Sequence, residues 1–216
     1  MKFELPQLYP ITDRRLSGLT HAEQVARLCE GGARLVQLRE KRLPAREFYA
    51  EVVEALKVAR LFGATLIVND RADVALAAGA DGVHVGQDDV PPEAVRALLG
   101  EGKIVGFSTH GVGQAVAAST LPVDYVAIGP VFGTSSKENP DPVVGLEGVR
   151  GVRAAVGDAV KLVAIGGITS ETAPSVLEAG ADSVALIGAL LDTPDRFEIT
   201  RRTRTLLARL SGDAQI

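Results

Sequence analysis

The sequence holds one cysteine and three histidines among its 216 residues. A single cysteine, Cys29, excludes a disulfide framework within the chain. It falls in the apolar-periodic segment 21–31, which suits a buried, reduced thiol. With the histidines scattered, no ligand cluster for zinc can be assembled. There is no basic excess either: 23 Lys and Arg stand against 27 Asp and Glu, and no basic stripe marks a nucleic-acid-binding face. No stretch approaches the roughly 20 apolar residues of a membrane span. Residues 1–10 lack the apolar run behind a basic start that a secretory signal shows. The expectation is a cytoplasmic protein that binds neither nucleic acid nor membrane. Two glycine motifs are also missing. The first apolar run ends in Thr12-Asp13-Arg14-Arg15 with no Gly-x-Gly-x-x-Gly turn, which argues against an open dinucleotide-binding sheet. No Gly-x-Ser-x-Gly elbow is present, so a serine hydrolase is not indicated.

What is present is periodic. Eight short apolar runs, at 8–13, 35–41, 65–70, 82–87, 103–110, 125–132, 161–168 and 183–190, are nearly continuous in Val, Ile and Leu. Strands buried on both faces read this way, and parallel strands covered by helices are the usual case. Between them lie amphipathic stretches. In 44–62 the residues Phe48, Val52, Ala55, Leu56 and Ala59 recur at helical spacing. The stretch 91–99 opens with proline, whose missing N–H is harmless there. The stretch 171–179 follows Thr169 and Ser170 as candidate caps and stops at Gly180. Eight alternating βα units predict a single α/β domain spanning 1–216, a closed (β/α)8 TIM barrel. Gly-Ala-Asp precedes both the fourth and the eighth run, at 79–81 and 180–182. It reads either as an echo of two related halves or as good chemistry for a helix end that leads into a strand.

Unusual polar residues in such a barrel matter most at the C-terminal strand ends, and seven of the eight runs deliver polar or glycine-rich ends there. Gln37, Arg39 and Lys41 alternate, so in a strand they would share one face and bring an amide, a guanidinium and an ammonium to the mouth. Lys137 sits in a loop of hydroxyls, Thr134, Ser135 and Ser136, that could cradle a phosphate or simply be solvated. Gly166-Gly167 end the seventh run and Gly188 lies in the eighth, where barrels often hold phosphate; the alternative is tight turns with no ligand. Asp70 and Asp89 close adjacent runs and together could hold Mg²⁺, which takes few carboxylates plus water and phosphate oxygens. Pairing of Asp70 with Arg39 or Arg71, and capping of the 91–99 helix by Asp88 or Asp89, are the structural alternatives.

These residues carry a family likeness. Gln-Leu-Arg-Glu-Lys at 37–41, Asn-Asp-Arg at 69–71 and His-Val-Gly-Gln-Asp-Asp at 84–89 resemble the thiamine phosphate synthases. So do Gly-Phe-Ser-Thr-His at 106–110, the segment from Gly129-Pro130-Val131-Phe132 to Lys137, and Ala-Ile-Gly-Gly-Ile at 164–168. The resemblance implies a Mg²⁺-dependent transferase that joins hydroxymethylpyrimidine diphosphate to hydroxyethylthiazole phosphate. It implies that Gln37, Arg39, Lys41, Asn69, Ser108 and Lys137 hold the pyrimidine diphosphate, with Arg39, Lys41 and Lys137 acting on the leaving group. Asp70 and Asp89 would hold Mg²⁺. Thr134, Ser135, Ser136 and the backbones of Gly167, Ile187 and Gly188 would hold the thiazole phosphate. Family members are often assembled, so a homo-oligomer is compatible with the likeness. Two positions depart from the family's pattern: Gly188 stands where serine is common, and Ser136 where threonine is common. A related thiazole tautomerase carries histidine where this chain has Pro130, which argues against that activity. A silent precursor-binding barrel should lose its metal ligands first, and both aspartates are present.

Overall fold

The computed structural model describes residues 3–134 and 141–212. In chain order its elements are β1 (Leu8–Thr12), α1 (Arg14–Ser17), α2 (His21–Glu30), β2 (Leu35–Leu38), α3 (Ala45–Leu61), β3 (Thr65–Asn69), α4 (Ala72–Ala78), β4 (Gly82–Val85) and α5 (Pro92–Leu99). There follow β5 (Ile104–Thr109), α6 (Val112–Ala118), β6 (Tyr125–Ile128), α7 (Gly145–Val156), β7 (Lys161–Ile165), α8 (Ala173–Glu178), β8 (Ser183–Leu186), α9 (Gly188–Leu191) and α10 (Arg196–Leu210). The strands pair in sequence order, all parallel, and β8 closes on β1 through Leu8↔Val184, Tyr9↔Ala185 and Pro10↔Leu186. Each of the eight apolar runs contains one strand, as the pattern predicts.

Two cores follow from the alternation of side chains along the strands. Outward-facing residues such as Val36, Leu38, Leu66, Val68, Val83 and Val105 pack under the helices with Val25, Leu28, Phe48, Val52 and Leu56. Inward-facing Tyr9, Ile11, Leu35, Ile67, Tyr125, Ala127, Val163 and Ala185 fill the barrel. Helix α3 buries the five residues its periodicity singles out, and Cys29 lies in the outer core. One helix departs from expectation. In 169–172 the Thr169 hydroxyl accepts from the N–H groups of Glu171 and Thr172 at 3.2 and 3.3 Å, so a side-chain turn occupies that stretch and α8 begins only at Ala173.

The Gly-Ala-Asp echo has a local cause. Asp81 and Asp182, each just before a strand, accept through Oδ2 from the N–H groups of Leu66 and Leu162 in the preceding strand, at 2.8 and 2.7 Å. Asp124 does the same before β6, accepting from Val105 N–H at 2.8 Å, without the Gly-Ala that precedes the other two. Arg96 and Arg153, reaching from α5 and α7, pair with Asp124 and Asp182 at 2.7 and 2.5 Å. The aspartate therefore sets the stagger between strands at the barrel's N-terminal rim, away from the C-terminal strand ends.

Candidate active site

The C-terminal strand ends enclose a cavity of about 1060 Å³, at the upper end of the roughly 300–1,000 Å³ usual for ligand sites. Every site residue expected from the sequence that lies within the described residues lines it: Gln37, Arg39, Lys41, Asn69, Asp70, Asp89, Ser108, Thr134, Gly167, Ile187 and Gly188. Ser135, Ser136 and Lys137 lie outside the described residues.

The floor is a hydrogen-bonded chain of buried groups. Gln37 Nε2 donates to Tyr9 Oη at 3.0 Å, Tyr9 and Tyr125 share a bond of 2.9 Å, and Tyr125 Oη meets His84 Nδ1 at 3.1 Å. His84 Nε2 meets Ser108 Oγ at 2.8 Å. The Tyr125 ring fits because Gly106 faces it on β5. A Cβ there would overlap the Tyr125 hydroxyl end and come within 2.6 Å of His84 Nδ1. Burial pulls the His84 pKa down to about 4, so the ring is neutral at pH 7 and carries one proton. Since Gln37 donates at one end, the most economical ordering passes protons from Tyr9 to Tyr125 to Nδ1. This leaves His84 donating from Nε2 to Ser108. The sequence motifs include His84 and Ser108, but neither tyrosine. The available signal was a tyrosine inside an apolar strand run, true of Tyr9 and Tyr125 and not of Tyr49, the third in the chain.

The buried neutral His84 has a measurable consequence. Its folded pKa lies below the unfolded value near 6.5, so between pH 6.5 and 4 the unfolded chain binds more protons and stability falls as pH falls. The full effect is about 3 kcal/mol, reached below pH 4. Urea unfolding at pH 7 and pH 5 should show a smaller acid loss for His84→Gln than for the native chain. Equal losses would place the imidazole's titration elsewhere.

On the anion side, the predicted shared strand face is corrected. The ladder of β2 stops at Leu38 because Glu40 Oε1 accepts from the N–H groups of Lys41, Arg42 and Leu43 at 2.8, 2.7 and 3.3 Å, which turns the chain into a loop. Gln37 points inward from the strand, while Arg39 and Lys41 reach the same cavity from the loop. Arg39 Nη1 lies 3.4 Å from Asp13 Oδ2, and Arg15 pairs with the same carboxylate at 2.8 Å. Burial pushes the Asp13 carboxyl up, but the Arg15 hydrogen bonds and the Arg39 charge outweigh it and hold the pKa below the ordinary value. Asp13, absent from the expected set, thus aims Arg39.

On the cation side, Asp70 is the one non-glycine residue among those described with a left-handed backbone, φ 61°, a conformation that asparagine and aspartate tolerate best. It is held there by its N–H, which donates to His84 O at 2.8 Å. Its partner is Lys41, whose ammonium pairs with Asp70 Oδ2; Arg71 pairs with Asp73 instead, at 2.5 Å. Burial raises the Asp70 pKa and the adjoining Asp89 carboxylate raises it further, against the pull of Lys41. Asp89 accepts from Gly86 N–H at 2.7 Å and does not cap α5, whose N-cap position is Pro91 with no side-chain bond. Two carboxylates from neighbouring strand ends are therefore forced together. Among the described residues no cluster of three or more metal-type side chains exists, so any cation here would complete its shell from water or substrate.

The opposite wall is made of backbone. Gly166 and Gly167 have φ of 100° and 64°, and a Cβ on Gly167 would meet Phe132 at 2.8 Å. They are glycines because the β7–α8 loop packs against the loop after β6, as well as lining the cavity. Gly188 differs: its Cβ direction is open space, and it begins α9, where the first N–H groups have no intrahelical partner.

The chain is similar to known proteins along nearly its whole length. The family described as thiamine monophosphate synthase matches residues 8–190. The thiamine-phosphate synthase of Koribacter versatilis is 50% identical over 198 residues, covering 88% of this chain and 92% of that one. That of Chloroflexus aurantiacus is 41% identical over 203 residues, covering 94% and 93%. The solved thiamine phosphate pyrophosphorylase from Pyrococcus furiosus superposes with a TM-score of 0.83 at 36% identity, covering 94% of this chain and 96% of that one. On matches of this extent, over a barrel with this cavity, the chain belongs to the thiamine monophosphate synthase family.

Proposed function

We propose that this transferase condenses hydroxymethylpyrimidine diphosphate with hydroxyethylthiazole phosphate in the strand-end cavity, giving thiamine phosphate and diphosphate. The observation that carries the residue roles is the convergence of Arg39, Lys41, Asp70 and Asp89 at one edge of a neutral, hydrogen-bonding floor. The floor, Gln37 with Ser108 and Asn69, offers amide and hydroxyl groups to the edge of a heteroaromatic ring. The carbon–oxygen bond between the pyrimidine methylene and the diphosphate breaks with its electron pair leaving on the diphosphate. The thiazole nitrogen lone pair then forms the carbon–nitrogen bond. No proton has to be removed, and a neutral His84 committed to Tyr125 and Ser108 suits a site that orients rather than deprotonates.

Arg39 and Lys41, with Lys137 assigned by resemblance, stabilise the charge that develops on the leaving group. Asp70 and Asp89 would hold Mg²⁺, which when bound supplies further positive charge to the diphosphate oxygens. The pair fits such an ion because two adjoining carboxylates, one with its pKa raised by burial and by its neighbour, have only Lys41 as a compensating charge among the described residues. A cation between them would free the Lys41 ammonium for a phosphate oxygen. Thr134, Ser135, Ser136 and the backbone at Gly167, Ile187 and Gly188 would take the thiazole phosphate. All these residues come from one chain, so the reading does not depend on a homo-oligomer; its setting would be the cytoplasm. No helix among the described residues is long and apolar enough to cross a membrane.

Purified protein mixed with both precursors, with and without Mg²⁺, tests the reading, with thiamine phosphate detected as its fluorescent oxidation product. Product that needs both precursors and Mg²⁺ is the expected result. Its absence from folded protein would move the weight to precursor binding without catalysis. The open space at Gly188 yields a further expectation. Gly188→Ser should fold normally and lower KM for the thiazole phosphate about two- to tenfold, the worth of one added hydrogen bond. An unchanged KM in steady-state assays would place that phosphate elsewhere.

A further inference from the structure

His21 is the first residue of α2, wholly buried, and lies outside the cavity. Its Nδ1 is 2.7 Å from Thr12 Oγ1, and its Nε2 is 3.4 Å from Glu40 Oε2. Thr12 Oγ1 in turn accepts from Arg39 N–H at 3.3 Å, while Glu40 Oε1 accepts from the N–H groups of Lys41, Arg42 and Leu43. The imidazole therefore meets one loop, that of 39–43, by two routes, a hydrogen bond to Thr12 and a looser contact with Glu40.

The charged groups that face His21 are Glu40 from the loop, Glu51 from α3 and Arg14 from α1. Glu51 Oε2 accepts from the His21 backbone N–H at 3.0 Å, and the Phe48 ring lies 6.0 Å away, centroid to centroid. Burial dominates and lowers the His21 pKa despite the two glutamates. The ring is thus neutral at pH 7, and its one proton belongs on Nε2, facing the Glu40 carboxylate. The Thr12 hydroxyl, whose one proton can go to Gln37 O at 3.2 Å or to Nδ1 at 2.7 Å, then gives it to the nearer Nδ1 and keeps its lone pairs for Arg39 N–H. Glu40 Oε2 faces Nε2, yet at 3.4 Å that contact is longer than the usual N–H···O distance of about 2.9 Å. Among the described residues Nε2 makes no hydrogen bond. Only a tighter seat of the Glu40 loop would satisfy it.

We propose that His21 is a positioning residue for the diphosphate site, clasping the β2–α3 loop through Thr12 and Glu40 and so fixing where Arg39 and Lys41 meet the diphosphate. The inference rests on reading that edge of the cavity as the diphosphate site. Side chains that orient a binding group from behind are worth about 10–100-fold in affinity or activity. His21→Leu fills the space without polar atoms, and Thr12→Val removes only the hydroxyl.

The test is magnesium diphosphate binding by calorimetry, alongside steady-state kinetics of thiamine phosphate formation. Each variant should bind magnesium diphosphate about tenfold more weakly and raise KM for the pyrimidine diphosphate to match. KM for the thiazole phosphate should stay within about twofold. The double variant should lose no more than either single one, because both break one chain. His21→Gln, which can again donate to Glu40, should recover part of the loss. Native-like diphosphate binding by a folded variant overturns the inference, and so does an equal loss for both substrates, the mark of general loosening. If His21→Leu does not fold, Thr12→Val decides. A native chain that binds diphosphate but makes no thiamine phosphate would refute the proposed reaction, while the binding data still decide the role of His21.

Discussion

Lys41→Met is expected to lower turnover about 10²–10³-fold, the usual cost of removing one preorganised group from the charge that develops in a transition state. The fold should hardly notice. The Lys41 side chain is half exposed and its ion pair with Asp70 lies at the cavity mouth, where such pairs contribute little to stability. The Mg²⁺ response separates this lysine from the carboxylates. Lys41 competes with any cation for Asp70, so without it the Mg²⁺ concentration for half-maximal activity should stay the same or fall while kcat collapses. Steady-state kinetics over a Mg²⁺ titration, with a thermal melt as control, measures both. A kcat within threefold of native would remove Lys41 from the leaving-group site.

Asp70→Asn should show the opposite pattern. Asparagine accepts the φ of 61° at this position nearly as well as aspartate does. The backbone between β3 and α4 is thereby retained and only the charge is lost; alanine would add strain and blur the result. Half-saturation by Mg²⁺ is expected to rise about tenfold or more, and kcat at saturating Mg²⁺ to fall about 10²-fold. The parallel change Asp89→Asn keeps a carbonyl oxygen for Gly86 N–H, the bond that Asp89 makes at 2.7 Å, and should move the Mg²⁺ response in the same direction. If half-saturation in Asp70→Asn matched the native value, the metal assignment would fall even if kcat dropped.

The barrel was legible in the sequence because its signals are local. Strands buried on both faces show as apolar runs, and the five buried positions of α3 show as a helical stripe. The site was legible where it consists of residues bunched at strand ends, as with Gln37 to Lys41, Asp70 and Asp89. Its cause was less so. Alternation suggested a strand reaching Lys41, whereas Glu40 bends the backbone there by accepting three consecutive N–H groups, a geometry no period reveals.

Composition and order along the chain by themselves determined the class of fold, the face where the cavity opens and most of the expected residues that line it, since burial and strand-end placement follow from short-range pattern. Only the tertiary structure decided which residues meet. Tyr9 and Tyr125, 116 positions apart, share a hydrogen bond at the floor because β1 and β6 face each other across the barrel and Gly106 leaves room. Asp13 aims Arg39 because β1 lies beside β2. His21, which the sequence shows only at the start of the apolar-periodic segment 21–31, comes to lie between Thr12 and Glu40 for the same reason. Hydrogen bonds act over about 3 Å in space; Thr12 and His21, nine residues apart, come within that range when α2 packs beside β1, and Tyr9 and Tyr125, 116 apart, only when the barrel closes.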